Sequence, residues 1–158
     1  LIELAGEIGH VTIDENGPIC RCGNRGCLET FAGAGVLLAM LSESRGPLTL
    51  RDVIDAARAG DPGCRRVLFD AGQHLGVATA SLCNLVDPEI VVVGGQLADA
   101  GEILLGPMRT VVEQRTMPSV SGPVSVVPSE HGATAEVRGA LTLALDRARV
   151  GGALGVSA

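Results

Sequence analysis

The sequence lacks tryptophan and tyrosine and contains only two phenylalanines among 158 residues. Nucleic-acid bases and sugar rings are commonly held by stacking on aromatic side chains, so we expect a small ligand of this chain to be held by hydrogen bonds and charge. Basic residues are also scarce, since 12 Lys and Arg against 18 Asp and Glu give a formal net charge of −6. Because nucleic-acid binding normally needs a basic face, the composition argues against direct contact with DNA or RNA.

Membrane and secretion signals are missing as well. The longest apolar runs stop well short of the ~20 residues that a membrane-spanning helix needs, and no charged segment followed by an apolar one opens the chain. The five cysteines are an odd number, and without a secretion signal we expect reduced thiols in a cytoplasmic protein. The chain begins at Leu1 in the middle of a pattern, and we expect it to be a piece of a longer protein.

The length and composition favour one globular domain. Apolar residues make up 46% of the chain, which is enough for one core at this size. Loose alternation predicts a strand within residues 4–14. Apolar spacing predicts helices from about 27 to 44 and over 49–60, the second with Thr49 as its cap.

A long helix is predicted over residues 61–87. Asp61 is a typical N-cap, Pro62 suits the first helical position, and Asp87-Pro88 ends the helix. The apolar residues are spaced three and four apart, which predicts one buried face, formed by Leu68, Ala71, Leu75, Ala78, Leu82 and Leu85. Beside this stripe lie small residues that would let another element approach closely, namely Gly72, Gly76, Ala80 and Ser81.

The second half of the chain has the pattern of a parallel α/β unit. "EIVVVGG" predicts a buried strand at 89–95, because it is a short β-branched run that ends in two glycines. A helix over 98–115, a strand at 124–128 and a helix over 135–149 follow. Strand–helix–strand order implies a right-handed crossover and parallel pairing. We expect the tail, residues 151–158, to be flexible.

Three of the five cysteines lie within eight positions, at Cys20, Cys22 and Cys27. Thiolate sulfur and imidazole nitrogen together form the donor set of a structural zinc ion. The alternative is a loop of reduced cysteines without metal. Spacing alone leaves open which histidine completes the site, the candidates being His10, His74 and His131.

Other reactive side chains have simpler interpretations. Cys64 and Cys83 lie within predicted helices, where we expect them to be small buried apolar residues. Glu7 and Glu29 flank the cysteine cluster, and their carboxylates could accept hydrogen bonds from a polyhydroxylated ligand. The alternative for both glutamates is a solvated surface position.

Two stretches resemble landmarks of one family. "GEIGH" at 6–10, followed by "CRCGNRGCLE" at 20–29, resembles the signature of the ROK family, which groups bacterial sugar kinases with sugar-responsive repressors. "NLVDPEIVVVGG" at 84–95 resembles a second landmark of that family. The resemblance implies an actin-like (ribonuclease-H-like) α/β fold of the sugar-kinase superfamily. It also implies that residues 1–150 form most of the C-terminal lobe and include a zinc loop, residues 10–27.

The resemblance also implies functional residues. It implies a closed structural zinc site on His10, Cys20, Cys22 and Cys27. It implies contacts to sugar hydroxyls from Glu7, His10 and Glu29. In family kinases the glycines after the strand lie beside ATP, which here suggests Gly94 and Gly95. Many relatives carry a third glycine at the next position, where this chain has Gln96.

Three functions remain open on this evidence. Asn24 and Thr30 resemble the repressor branch, and Gln96 favours it too, so we expect the effector-binding and dimerising part of a ROK transcriptional regulator. Such a protein would contact DNA only through a domain outside this chain. The alternative is the C-terminal part of an ATP-dependent, glucokinase-like sugar kinase, with no catalytic residue in this chain. A zinc-stabilised scaffold without a ligand is the third.

Overall fold

The computed structural model describes residues 6–117 and 122–153. Within these ranges the chain forms six α-helices, two strands and three 3₁₀ turns. The helices are α1 (Glu29–Ala32), α2 (Ala34–Arg45), α3 (Leu50–Arg58), α4 (Pro62–Val86), α5 (Glu102–Arg115) and α6 (Ala135–Ala153). The strands are β1 (Ile90–Val93) and β2 (Ser125–Pro128), and the 3₁₀ turns are Ile8–His10, Gln96–Ala100 and Gly132–Thr134.

The two strands pair in parallel, with Ile90 opposite Ser125 and Val93 opposite Pro128. The predicted parallel pair is therefore confirmed, and α5 connects its strands. Only one face of β1 is covered, because Val91 and Val93 pack against a buried cluster of Leu105, Met108, Val112 and Val126. Ile90 and Val92 remain 54% and 58% exposed, so the prediction of a fully buried strand is wrong for one face.

Local capping signals define α3 and α4 as predicted. Thr49 and Asp52 form a capping box at the start of α3, which satisfies two backbone N–H groups reciprocally. The Asp61 side chain accepts a hydrogen bond from the backbone N–H of Cys64, and Pro62 occupies the first position of α4. Asp87 ends the helix in the left-handed conformation.

The closest helix packing joins α4 to α5. A Cβ atom on Gly72 would lie 2.2 Å from the carbonyl oxygen of Leu104, and one on Gly76 would lie 2.7 Å from Cβ of Val111. Gly72 and Gly76 thus lie on the face of α4 that meets α5, whereas Ser81 of the predicted small-residue set is exposed. Leu82 and Leu85 point away from this contact and are 42% and 83% exposed, so their predicted burial is wrong.

Glycines interrupt two of the predicted helices. The predicted helix 27–44 turns at Gly33, which has an extended ψ of 138° and separates α1 from α2. A Cβ at this position would lie 2.5 Å from the carbonyl oxygen of Glu29. The predicted helix 98–115 begins instead as a 3₁₀ turn and is broken at Gly101, whose φ is 60°.

Both ends of the described chain differ from expectation. Residues 6–14 of the predicted strand 4–14 hold a 3₁₀ turn and a single antiparallel bridge between Thr12 and Cys27, whereas residues 4 and 5 lie outside the described residues. The last helix continues to Ala153, and the rest of the expected tail lies outside the described residues. In the part of the chain that the structure describes, each helix is too short or too polar to cross a membrane.

Candidate metal and ligand site

Backbone hydrogen bonds close the zinc loop on itself. Ile13 donates to the carbonyl oxygen of Gly26 at 2.8 Å, and Gly26 donates to that of Pro18 at 2.7 Å. Gly26 has a φ of +67°, and a Cβ there would lie 1.6 Å from the carbonyl oxygen of Asp14. Only glycine fits this position, because it adopts positive φ freely and has no side chain.

The loop brings together four side chains that could hold a metal ion. The ligand atoms of His10, Cys20, Cys22 and Cys27 all lie within 4.8 Å of one another. The distance from His10 Nδ1 to Cys20 Sγ is 3.6 Å, and the distance from Cys22 Sγ to Cys27 Sγ is 3.7 Å. A tetrahedral zinc ion places a nitrogen and a sulfur ligand about 3.6 Å apart and two sulfur ligands about 3.8 Å apart. The donor set and its spacing therefore fit zinc.

The structure also answers which histidine accompanies the three thiols. His74 packs its ring on Phe31, with 4.8 Å between the ring centroids, and the backbone N–H of His131 bonds to Ser129 Oγ. Only His10 joins the cysteine cluster among the residues that the structure describes. Cys64 and Cys83 are buried in α4 as small apolar residues, as expected.

The thiols differ in how readily they lose a proton. Burial, followed by the neighbouring thiols, raises the pKa of Cys27 to about 12, and its side chain is fully enclosed. A backbone hydrogen bond from Asn24 lowers the pKa of exposed Cys22. A thiolate at Cys27 therefore needs a cation beside it, and binding of zinc would release protons from the cluster.

The carboxylate of Glu29 lies directly beside the cluster. Its Oε1 accepts a hydrogen bond of 2.8 Å from Arg21 Nε, and its Oε2 one of 3.0 Å from Arg21 Nη2. The Cys20 thiol lies 3.5 Å from the same Oε1. The hydrogen bonds from Arg21 lower the pKa of Glu29, so Glu29 is ionised and is an acceptor near neutral pH.

His10 lies on the 3₁₀ turn Ile8–His10, which lies beside the start of α1, and Glu7 directly precedes this turn. The backbone N–H of His10 bonds to the carbonyl oxygen of Glu7 at 3.0 Å. A Cβ on Gly9 would lie 3.6 Å from Cβ of Glu29, so this turn runs next to Glu29. The hydrogen bonds to Glu29 raise the pKa of Arg21, and the negative charge of Glu7 adds to this in the same direction. The segments that carry the three predicted sugar-binding residues are therefore neighbours.

Sequence reasoning did not find Arg21. The residue lies between two predicted ligands and eight positions before Glu29, and the turns between them belong to no single helix or strand whose period could be used. Its role becomes visible only when the loop closes and brings the two side chains together. The one sequence signal is an arginine inside a metal loop that is flanked by acidic residues.

Gly94 and Gly95 lie at the carboxyl end of β1. Gly95 has a φ of 80° and precedes the 3₁₀ turn at 96–100. Asp99 in this turn lies close to Gly132, because a Cβ on Gly132 would be 3.1 Å from Asp99 Oδ1. The carboxyl ends of parallel strands are where α/β folds bind ligands, so the position suits a nucleotide, although binding by the two glycines stays a prediction.

Comparison with known proteins gives a family. The sequence model of the ROK family matches residues 3–147. The chain is 32% identical to a xylose repressor of Bacillus subtilis over 143 residues, which are 90% of this chain and 37% of that protein. It is 35% identical to a glucokinase of Thermotoga maritima over 159 residues, covering 91% of this chain and 50% of the relative. The chain thus spans half or less of these relatives.

A solved structure gives the same result for the fold. A ROK family glucokinase of Streptomyces griseus, in complex with glucose and AMPPNP, has a TM-score of 0.70 and 26% sequence identity. The match covers 83% of this chain and 48% of that one. The expected actin-like α/β fold of ROK sugar kinases is therefore confirmed for this chain.

Proposed function

Since the chain belongs to the ROK family, we propose that it is the zinc-containing, sugar-binding part of a ROK transcriptional regulator. The observation that carries this proposal is the position of the Glu29 carboxylate, 3.5 Å from a thiol of the four-ligand cluster. The loop that would hold the metal thereby also sets the place of a hydrogen-bond acceptor. In this reading residues 1–150 belong to the C-terminal lobe of a cytoplasmic protein.

Zinc on His10, Cys20, Cys22 and Cys27 would be structural. Four protein ligands fill a tetrahedral site, so no position is left to activate water. Bound zinc would neutralise thiolates that burial otherwise disfavours. Its effect is to hold the loop and, through His10 and Cys27, the neighbouring 3₁₀ turn and α1.

A neutral monosaccharide is the ligand that this arrangement suits. Glu7 and Glu29 offer acceptors on adjoining segments, and the free ring N–H of a zinc-bound His10 would be a donor. Sugar hydroxyls both donate and accept and need several such partners. The aromatic residues on which sugar rings stack are nearly missing from the composition. Recognition would therefore rest on hydrogen bonds.

The regulator is favoured over the kinase by residues of the zinc loop and of the β1 end. Asn24, Thr30 and Gln96 resemble the repressor branch, whereas a xylose repressor and a glucokinase align over nearly equal shares of the chain, 90% and 91%. Sugar binding would change the relative populations of two arrangements of a dimer. The change would reach DNA through a domain outside this chain.

A glucokinase-like kinase is the second candidate. The 35% identity to a glucokinase over 91% of the chain supports it, as does the open position of Gly94 and Gly95 at the carboxyl end of β1. In that case ATP would bind beside these glycines. The groups that transfer the phosphoryl group would lie outside this chain.

Calorimetric titration of the protein as its gene encodes it tests both candidates. We would titrate D-glucose, D-xylose and N-acetyl-D-glucosamine into wild type, Glu29→Gln and the exposed control Glu43→Gln. The proposal requires that at least one sugar binds wild type and the control equally and that Glu29→Gln weakens binding at least about tenfold. Unchanged binding by Glu29→Gln contradicts the sugar site. ADP release from ATP with a bound sugar identifies the kinase, and binding without turnover supports the regulator.

A further inference from the structure

The guanidinium of Arg21 covers the carboxylate of Glu29. Nε and Nη2 of the arginine each donate to a different carboxylate oxygen, at 2.8 and 3.0 Å. The Arg21 side chain is 79% exposed, whereas that of Glu29 is 30% exposed. The arginine therefore extends from solvent over a carboxylate that is already largely withdrawn from water.

This bidentate contact uses the acceptor sites that a ligand would need. A carboxylate has about four lone-pair sites, and a guanidinium fork occupies one on each oxygen in the plane of the group. The two hydroxyls of a sugar that bind one carboxylate would approach the same pair of oxygens. A ligand that used the two sites held by Arg21 would therefore compete with it for Glu29.

The backbone of Arg21 and its side chain differ in how freely they can move. Its neighbours Cys20 and Cys22 are members of the ligand cluster, so bound metal would hold the backbone on both sides. The guanidinium itself lies in solvent, where an ion pair contributes little because the arginine is well hydrated when the contact opens. The contact can therefore open without disturbing the loop.

We propose that Arg21 is a displaceable latch on Glu29: its guanidinium binds the ligand-binding carboxylate until a sugar displaces it. The contact thereby weakens the binding of neutral sugars. The inference rests on the proposed sugar site. Arg21 is a positioning residue in this account, because it acts on the ligand through Glu29. The latch raises the sugar concentration at which the protein responds.

The variant Arg21→Gln removes the latch and keeps a polar side chain at an exposed position. Titration of the full protein with D-glucose, D-xylose and N-acetyl-D-glucosamine should show roughly two- to fivefold tighter binding by the variant, the range expected for loss of an exposed ion pair. Arg66→Gln is the matched control, because Arg66 forms an exposed pair of 2.9 Å with Asp70 on α4. This control should bind as wild type does.

Ionic strength supplies a readout that a structural role would not change. Raising sodium chloride from about 0.05 M to about 0.5 M screens exposed charges. Wild type should then bind sugar more tightly. The gain should not exceed the ratio between the sugar affinities of Arg21→Gln and wild type at low salt. The variant should show no comparable gain, since its Glu29 carboxylate is already uncovered.

The outcomes separate the latch from the sugar site. Tighter binding by Arg21→Gln, including binding by the variant alone, supports the latch. Equal or weaker binding by Arg21→Gln, with wild type still binding sugar and losing it on Glu29→Gln, overturns the latch and leaves the proposed function intact. Binding of none of the three sugars by either protein overturns the proposed function and the latch with it.

Discussion

The zinc loop and the α4–α5 helix pair are held together by different forces. The helix pair packs buried apolar side chains around glycines at close approach. The zinc loop is closed by backbone hydrogen bonds of turns and by two isolated bridges, and it gathers four ionisable side chains. The stability of the loop should therefore depend on the concentrations of metal and protons, whereas the stability of the helix pair depends on how well its surfaces fit. Perturbations that affect one region and spare the other test this division.

The largest effect is expected from loss of a ligand. Cys27→Ser should weaken zinc binding by more than about a hundredfold, because an enclosed hydroxyl does not replace a thiolate. Elemental analysis and competition with a chelator measure the change. Cys83→Ser is the control, since Cys83 is also buried but lies outside the cluster. Equal zinc content in the two variants would contradict the site.

Gly26→Ala should be the next most damaging change within the loop. The new Cβ would meet the carbonyl oxygen of Asp14 at 1.6 Å, at a φ of +67°. The left-handed conformation alone costs about 1–2 kcal/mol, so zinc affinity should fall at least about tenfold. In Gly23→Ala the backbone is strained at φ +91° but nothing lies within 4 Å, and its loss should be smaller. A larger loss for Gly23→Ala would show that the contact with Asp14 is unimportant.

Gly72→Ala tests the helix pair in the same way. Its Cβ would lie 2.2 Å from the carbonyl oxygen of Leu104, and overpacking of this kind typically costs about 1–3 kcal/mol of unfolding free energy. Denaturant unfolding of the zinc-loaded protein measures the loss, and zinc content should not change. Gly106→Ala, where the nearest atom lies 3.8 Å away, should instead stabilise α5 by about 0.5–1 kcal/mol. A drop in zinc content for Gly72→Ala would show that the two regions are coupled and would contradict their independence.

The smallest effect concerns acid. Two hydrogen bonds from Arg45, at 2.6 and 2.8 Å, lower the pKa of Asp61 well below its ordinary value of 3.8. A lowered carboxyl pKa contributes stability above the ordinary value, and this stability is lost as the pH falls through the lowered one. Asp61→Asn keeps a capping residue at the start of α4, but its amide has no carboxyl group to titrate. Wild type should be the more stable protein above pH 3.8 and lose its advantage below it, as unfolding curves between pH 2 and 6 would show. A constant difference would contradict the ion pair.

The sequence predicted what local chemistry decides. The caps at Thr49 and Asp61 and the β-branched run at 90–93 lie where their residue types predict. Family resemblance anticipated the four ligands that the loop brings together. Three features depend on tertiary contacts and were missed. Leu82 is exposed because the glycine face of α4 meets α5, a 3₁₀ turn replaces the first predicted strand, and Arg21 reaches its partner only when the loop closes.

Titration of sugar into zinc-loaded and zinc-stripped protein tests the central claim most directly. The claim is that the zinc loop sets the position of the carboxylate that binds sugar. The zinc-loaded protein should bind at least one of D-glucose, D-xylose and N-acetyl-D-glucosamine, and removal of zinc should weaken that binding at least about tenfold while the helical circular dichroism persists. Equal sugar affinity before and after removal of zinc would contradict the account.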